Sequence, residues 1–457
     1  MRAQEIAEAG LELLGGDRGA ILVAETGVAN LRWANSTLTT NGMSQARSVT
    51  VLAHPSVAGG LGSGTASGPV SGRVDLQELV DRARAAALGA GADDDAVDDP
   101  PAGVPSPDWD ADPAVTSPDA LTPVSALLGA VLPDREVEHF GYAEHTMSST
   151  YLASTGGLRR RHDQPAARFE LCGKSHGRTR SAWAGRAGRH FIDLDLASAP
   201  GEVRTGLDAQ ATRIDIDPGR HRVLLSPSAA ADLLIYLLWS AGARDALDGR
   251  SAFGAGAGQT LVGRSLTEQL FWLRSDPSAP GLECAEHVQS TSSSAISSAF
   301  DLGLQVGATD WIEHGTLRSL LTTRHTAARS GLPLTPYVDN LLAGVEGQSG
   351  SLDQVATRMG DGLLVTCLWY IREVDAQRLL LTGLTRDGVY VVRDGEVVGA
   401  AGNFRFNDSP LGMLGRIGAA GDPVDCLPRE WADWFTRTRV APLVIDGFHL
   451  STASEAI

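Results

Sequence analysis

The chain has 457 residues, 43% of them apolar, and a formal net charge of −17. Its length supports two substantial cores, while the acidic balance leaves no basic face for phosphate contacts and argues against nucleic acid as a partner. No apolar run approaches the roughly 18 residues of a membrane span, and Met1 to Gly15 carries Glu5, Glu8 and Glu12 in place of a basic leader, so a cytoplasmic protein without a signal peptide or membrane contact is expected.

Met1 to Gly15 has an amphipathic helical pattern, and Ala20 to Glu25, Ala29 to Trp33 and Ser48 to Ala53 read as strands. Asp75-Leu76-Gln77-Glu78 opens a helix in the manner of a capping box, with Leu76, Leu79, Val80 and Ala83 keeping the helical period. From about Gly89 to Pro123 the chain carries Asp93, Asp94, Asp95, Asp98, Asp99 and prolines at 100, 101, 105, 107 and 113, with few large apolar residues. Such a segment cannot offset its ordering entropy by burial, so residues 89–123 are expected to be a disordered acidic insert. Arg159-Arg160-Arg161, following Gly156-Gly157, reads as an exposed, solvated loop. Ala167 to Cys172 and Phe191 to Leu196 read as strands, and the turn at Asp217-Pro218-Gly219 divides the chain into domains 1–216 and 217–457.

In the second half, Ser226 is a favourable N-cap and Pro227 suits the first helical position. Leu233, Leu234, Leu237 and Leu238 then form a core-facing stripe. Gly254 to Gln259 is glycine-rich but lacks the Gly-Lys-Ser/Thr of a phosphate loop and reads as a plain loop. Ser290 to Ser298 is rich in hydroxyls without a G-x-S-x-G elbow. His287, His314 and His325 read as structural or surface histidines, and Cys172, Cys284, Cys367 and Cys426 show no C-x-x-C spacing and read as free thiols. Trp311 to Glu313 and Thr316 to Arg318 flank His314-Gly315 as a hairpin, Gly362 to Arg372 reads as one long strand, and a last strand runs from Ala441 to Leu450. Val389 to Val392 and Glu396 to Val398 meet at Asp394-Gly395, the pair a type I′ turn requires. The expected class is α+β, with an N-terminal α/β-type domain and a C-terminal domain rich in antiparallel sheet.

The segment Thr382 to Gly388, the hairpin after it and Asn403-Phe404-Arg405-Phe406 together resemble the TldD/PmbA family, in its TldE/PmbA-like branch. The resemblance extends to Leu225-Ser226-Pro227, Arg324 to Arg329, Asn340-Leu341 with Gly347, and Gly362 to Thr366. It continues more weakly to Leu31 through Ser36 and leaves out about residues 89 to 125. The family's catalytic branch resembles a zinc peptidase built on His-Glu-x-x-x-His. Counted from Leu225-Ser226-Pro227, that motif falls on Ile235, Tyr236, Leu237, Leu238, Trp239 and Ser240, so the positions of ligand, base and ligand are held by Ile235, Tyr236 and Ser240. Cys426 lies where the family's last metal ligand is expected and reads as its relict or as an incidental thiol.

The resemblance therefore implies a non-catalytic subunit of a heterodimeric zinc metallopeptidase acting on unfolded or short peptides. Zinc would sit in a TldD-like partner bearing His-Glu-x-x-x-His, and this chain would hold no cofactor. Peptide contacts by strand addition are expected at Thr382, Gly383, Thr385, Arg386, Asp387, Gly388, Asn403 and Arg405. The same residues also read as turn and packing chemistry, with Arg386-Asp387 as a local ion pair. Two other readings stay open: a peptidase with an atypical metal site drawing on Cys426 or the scattered histidines, and a peptide-binding, assembly or regulatory protein without a peptidase role. A homodimer in the absence of the partner, and any link to DNA gyrase, are left open as well.

Overall fold

The computed structural model of the chain describes residues 1–256 and 258–454. Ala257 and the last three residues lie outside that range, so the glycine-rich loop at Gly254 to Gln259 is only partly described.

The first domain is built on one antiparallel sheet. Its six strands stand in the order Gly64–Gly68, Thr37–His54, Arg18–Ala34, Glu138–Ser154, Arg159–Ser175, Arg180–Gly188. The two strands expected at Ala20 to Glu25 and Ala29 to Trp33 are halves of one, paired along its length with both neighbours. Along Arg159–Ser175, Pro165, Ala167, Phe169, Leu171 and Gly173 alternate inward, the period of a sheet with one covered face. The Ala3–Leu14 and Arg73–Ala90 helices cover one end, burying Ile6, Leu14, Leu76 and Val80 with Ile21, Val23, Val49 and Val51. Thr122–Val131 and Ala199–Ala209 cover the other end, around Phe169, Leu171 and Val203.

Three expectations fail here. Phe191 to Leu196 is not a strand, because Phe191 and Leu194 reach the same core at a spacing of three, which suits the 3₁₀ turn at Phe191–Asp193. The three arginines are not an exposed loop. They begin the Arg159–Ser175 strand, where Arg159 pairs with Glu8 and Arg161, its side chain 5% exposed, pairs with Asp108 and Asp163. The acidic segment 89–123 is not loose either. Asp99 pairs with Arg18 at 2.7 Å, buried Asp95 pairs with Arg244, the Asp98 carbonyl accepts from Arg324, and Arg160 donates to the carbonyls of Ala102 and Val104. Trp109 packs edge-on against Tyr151, and Gln4 donates to the carbonyls of Trp109 and Ala111, both at 2.9 Å. Charge pairing thus replaces the missing apolar burial, and through Arg244 and Arg324 the segment ties the two halves of the chain together.

The second half holds two sheets with a helix between them. The smaller runs Thr316–Leu317, Thr309–Glu313, Phe271–Ser275, Leu341–Val345, Thr438–Val440, Val424–Cys426. The larger runs Leu368–Asp375, Leu380–Thr385, Asn403–Asp408, Leu443–Ser454, Gly219–Leu225, Gly362–Val365, Val389–Arg393, Glu396–Ala400. All pairings are antiparallel except Gly219–Leu225 with Gly362–Val365 and Leu341–Val345 with Thr438–Val440. The Pro227–Trp239 helix buries Leu233, Leu234, Leu237 and Leu238 in one core with Phe271 and Leu341 from the smaller sheet and Val365, Phe404 and Phe448 from the larger.

Both expected hairpins form. Asp394 and Gly395 take φ of 49° and 84°, and His314 and Gly315 take 47° and 75°, the left-handed pairs that a two-residue turn needs. The long strand expected from Gly362 to Arg372 is interrupted at Thr366-Cys367. Its first part pairs with Gly219–Leu225 and Val389–Arg393, and its second forms the far edge beside Leu380–Thr385.

Candidate functional site between the domains

Ser226 caps the Pro227–Trp239 helix by accepting from the Ala229 amide at 3.2 Å, and Ser228 ties it to the Leu427 carbonyl at 2.6 Å. On this helix Ile235 is fully buried among aliphatic side chains. Tyr236 packs on Trp431 with ring centroids 5.9 Å apart, and the Ser240 hydroxyl donates to the Tyr236 carbonyl at 2.9 Å. Trp239 meets Trp431 and Phe435 edge to face. The three positions are spent on packing and helix closure, and they do not fit a zinc site.

Cys426 is buried in a strand against the same helix, with its sulfur 3.3 Å from the Thr438 hydroxyl. Burial pushes its thiol up to about 12, so with no metal bound it stays protonated at neutral pH. Among the described residues no group of three or more His, Cys, Asp or Glu side chains is placed to hold a metal ion. Asp232, which carries no signal in the sequence, is fully buried one turn earlier. It accepts from the Glu430 amide at 3.1 Å, its second oxygen has no hydrogen-bond partner, and burial raises its pKa well above the usual carboxylate range.

The expected peptide contacts sit in the interior of the larger sheet. Leu380–Thr385 and Asn403–Asp408 pair with each other and are flanked on both sides, so neither offers an open edge for strand addition. The Thr385 hydroxyl bonds the Asn403 side chain at 3.2 Å and accepts from the Phe404 amide at 2.9 Å. Arg405 donates to Thr382 at 3.3 Å. A Cβ on Gly383 would lie 2.6 Å from the Phe406 ring, and one on Gly388 would lie 2.6 Å from the Thr366 hydroxyl. Arg386 and Asp387 do form an ion pair, at 3.5 Å, but Asp387 is buried and also binds Arg429 at 2.5 Å and the Ser181 hydroxyl of the first domain. These residues join the domains and pack the sheet; Leu368–Asp375 and Glu396–Ala400 are its outer strands, the latter bonded at Ala400 to Thr212 and Ile214.

Where the helix ends at Trp239, a cavity of about 550 Å³ opens between the domains. The first domain contributes Ser148, Thr150, His162 and Gln164; the second contributes His287 to Ser298 in part, Thr322, Thr323, Tyr337, Asp339 and Trp434. The hydroxyl-rich stretch and His287 were visible in the sequence, whereas His162, Tyr337 and Trp434 reach the cavity only through the domain packing. Burial drives the His287 pKa down to about 4, with His162 and Arg160 adding to the effect, and burial lowers His162 as well. Both imidazoles are therefore neutral at pH 7. His162 Nε2 lies 3.1 Å from the Gln164 side-chain oxygen, while His287 Nε2 is buried without a hydrogen-bond partner. Asp339 accepts from the Tyr337 hydroxyl at 3.3 Å and pairs with Arg437, and Asp301 pairs with Arg324 at 2.7 Å. The other two histidines singled out in the sequence are not in this lining: His314 pairs with Glu346 at 2.9 Å, and His325 sits half-buried on the short Arg324–Ser330 helix.

Residues 218–452, just over half of the chain, match the family model of the PmbA/TldA metallopeptidase C-terminal domain. The chain belongs to the PmbA/TldD family. The TldD/PmbA resemblance read from the sequence is thereby borne out. The whole chain also shares its fold with TldE from Thermococcus kodakarensis, at 15% identity and a TM-score of 0.79, covering 98% of this chain and 99% of that one. A candidate modulator of DNA gyrase from Thermotoga maritima aligns at 14% identity and a TM-score of 0.76, over 98% and 99% of the two chains. One from Bacteroides thetaiotaomicron aligns at 12% and 0.75, over 98% of each. A search of curated protein sequences finds no match. As a PmbA/TldD member the protein has the expected two-domain α+β fold, and none of its described helices is long and apolar enough to cross a membrane.

Proposed function

We propose that this PmbA/TldD-family chain is the non-catalytic, TldE/PmbA-like subunit of a heterodimeric zinc metallopeptidase that processes unfolded or short peptides. The observation that carries this reading is the helix at Pro227–Trp239, which keeps its place between the two sheets while Ile235, Tyr236 and Ser240 are committed to packing. The metal-bound water and its general base would come from a partner bearing His-Glu-x-x-x-His. This chain's part is to hold substrate, and the cavity beside Trp239 supplies uncharged hydrogen-bonding groups and aromatic walls for that task.

The test is co-expression with a His-Glu-x-x-x-His relative, followed by metal analysis and cleavage of an unstructured peptide. The reading requires zinc and cleavage in a co-purifying complex. A complex that forms without cleavage would instead favour an assembly or peptide-binding role.

A further inference from the structure

The cavity between the domains has a charge pattern that the family assignment does not account for. Its lining contains no lysine or arginine among the described residues. Its two carboxylates, Asp301 and Asp339, are paired with Arg324 and Arg437, neither of which reaches the lining, and its two imidazoles are neutral. A carboxylate entering this space would lose its hydration and find no unpaired cation in the lining. An uncharged side chain meets the opposite conditions. Trp239, Tyr337, Trp434 and Ile296 offer apolar and aromatic surface, and serine and threonine hydroxyls can serve as donor or acceptor. His287, 6% exposed, adds a buried, uncharged imidazole to the lining. The volume falls within the roughly 300–1,000 Å³ typical of small-ligand sites.

We propose that this cavity is a side-chain pocket that admits an uncharged residue of a bound peptide, aromatic or amide in character, and excludes aspartate and glutamate. The proposal rests on the peptide-holding reading above and adds its substrate class. Discrimination arises as much from the penalty on the wrong side chain as from contacts to the right one.

The experiment measures binding of blocked pentapeptides, Gly-Gly-X-Gly-Gly with X as Tyr, Gln or Glu, to the full chain by calorimetry. It then measures cleavage of the same peptides by the complex with the zinc-bearing relative. Tyr and Gln peptides should bind, with the Glu peptide about tenfold weaker or more. Ser294→Trp, on an exposed part of the cavity wall, and independently Ser290→Trp should each reduce Tyr and Gln binding to the Glu level at unchanged melting temperature. Equal binding of Gln and Glu peptides, no binding of any of them, or indifference to both tryptophans in a folded protein would overturn the pocket. Cleavage by the complex that ignores X and both variants would overturn the pocket while leaving the partner-subunit reading intact. Failure to form any zinc-bearing complex would overturn that reading alone, because selective binding by this chain is decided by the first measurement.

Discussion

Arg429 and Asp387 form a buried ion pair, Nη1 to Oδ2 at 2.5 Å, with side chains 9% and 2% exposed. The guanidinium also donates to the Cys367 sulfur at 2.9 Å and lies over the Trp183 ring of the first domain, while Asp387 accepts from Ser181 of that domain. The pair therefore bridges the two domains.

Removing one member of this pair should be costly. Arg429→Met is expected to destabilise the chain by roughly 3–5 kcal/mol, because it leaves a buried carboxylate uncompensated. The Arg429→Met, Asp387→Leu double variant should lose much less than the sum of the single changes. Urea unfolding of the three variants measures this. Burial alone would raise the Asp387 pKa, but Arg429, Ser181 and Arg386 outweigh it and hold the carboxyl below its usual range. A depressed carboxylate pKa contributes stability above the unfolded value of about 4 and loses it as pH falls through the folded value. The pair should hold throughout the neutral range and weaken only in strong acid.

His287 should impose a different pH limit. Its folded pKa, about 4, lies below the unfolded 6.5, so the unfolded state binds more protons between these values and stability falls as pH drops through that window. The loss is expected to be on the order of 3 kcal/mol, complete only near pH 4 and absent above about pH 6.5. His287→Gln should flatten most of this slope in thermal melts, leaving a residue from His162, whose pKa burial also lowers.

The turn at Asp394-Gly395 should tolerate no side chain on its second residue. Gly395 has φ of 84°, and an added Cβ would lie 2.6 Å from Thr357 Cα, while its amide donates to the Gly360 carbonyl at 2.9 Å. Gly395→Ala is expected to cost about 1–3 kcal/mol in chemical unfolding, through positive-φ strain and displacement of the Leu352–Met359 helix.

Restoring the motif should not restore a metal site. The Ile235→His, Tyr236→Glu, Ser240→His variant places a polar ring in a fully buried aliphatic site, with an expected loss of roughly 2–5 kcal/mol. Metal analysis of the purified variant should find no stoichiometric zinc.

Much of this architecture was legible in the residues because its signals are local. The Asp394-Gly395 and His314-Gly315 turns demand positive φ, and Ser226-Pro227 with its leucine stripe announces a buried helix whatever surrounds it. What stayed hidden depends on partners distant in sequence. Arg159 to Arg161 look solvated and residues 89–123 look disordered when each is read alone; in the fold Arg161 pairs with Asp108, Arg160 donates to the Val104 carbonyl, and Arg18, Arg244 and Arg324 hold Asp99, Asp95 and the Asp98 carbonyl. Thr382 to Gly388 suggested an open strand, but register with Asn403–Asp408 makes it interior, a property of sheet order that no single strand carries. His162 and His287 share a cavity wall only after the domains pack, so neither could be paired from its neighbours in sequence.

If this chain holds peptide while the metal resides in another subunit, zinc content and peptidase activity will separate the purified chain from its complex with a His-Glu-x-x-x-His relative. No stoichiometric zinc and no cleavage are expected in the chain alone, with both present in the complex. Zinc and cleavage in the isolated chain would overturn the partner-subunit reading.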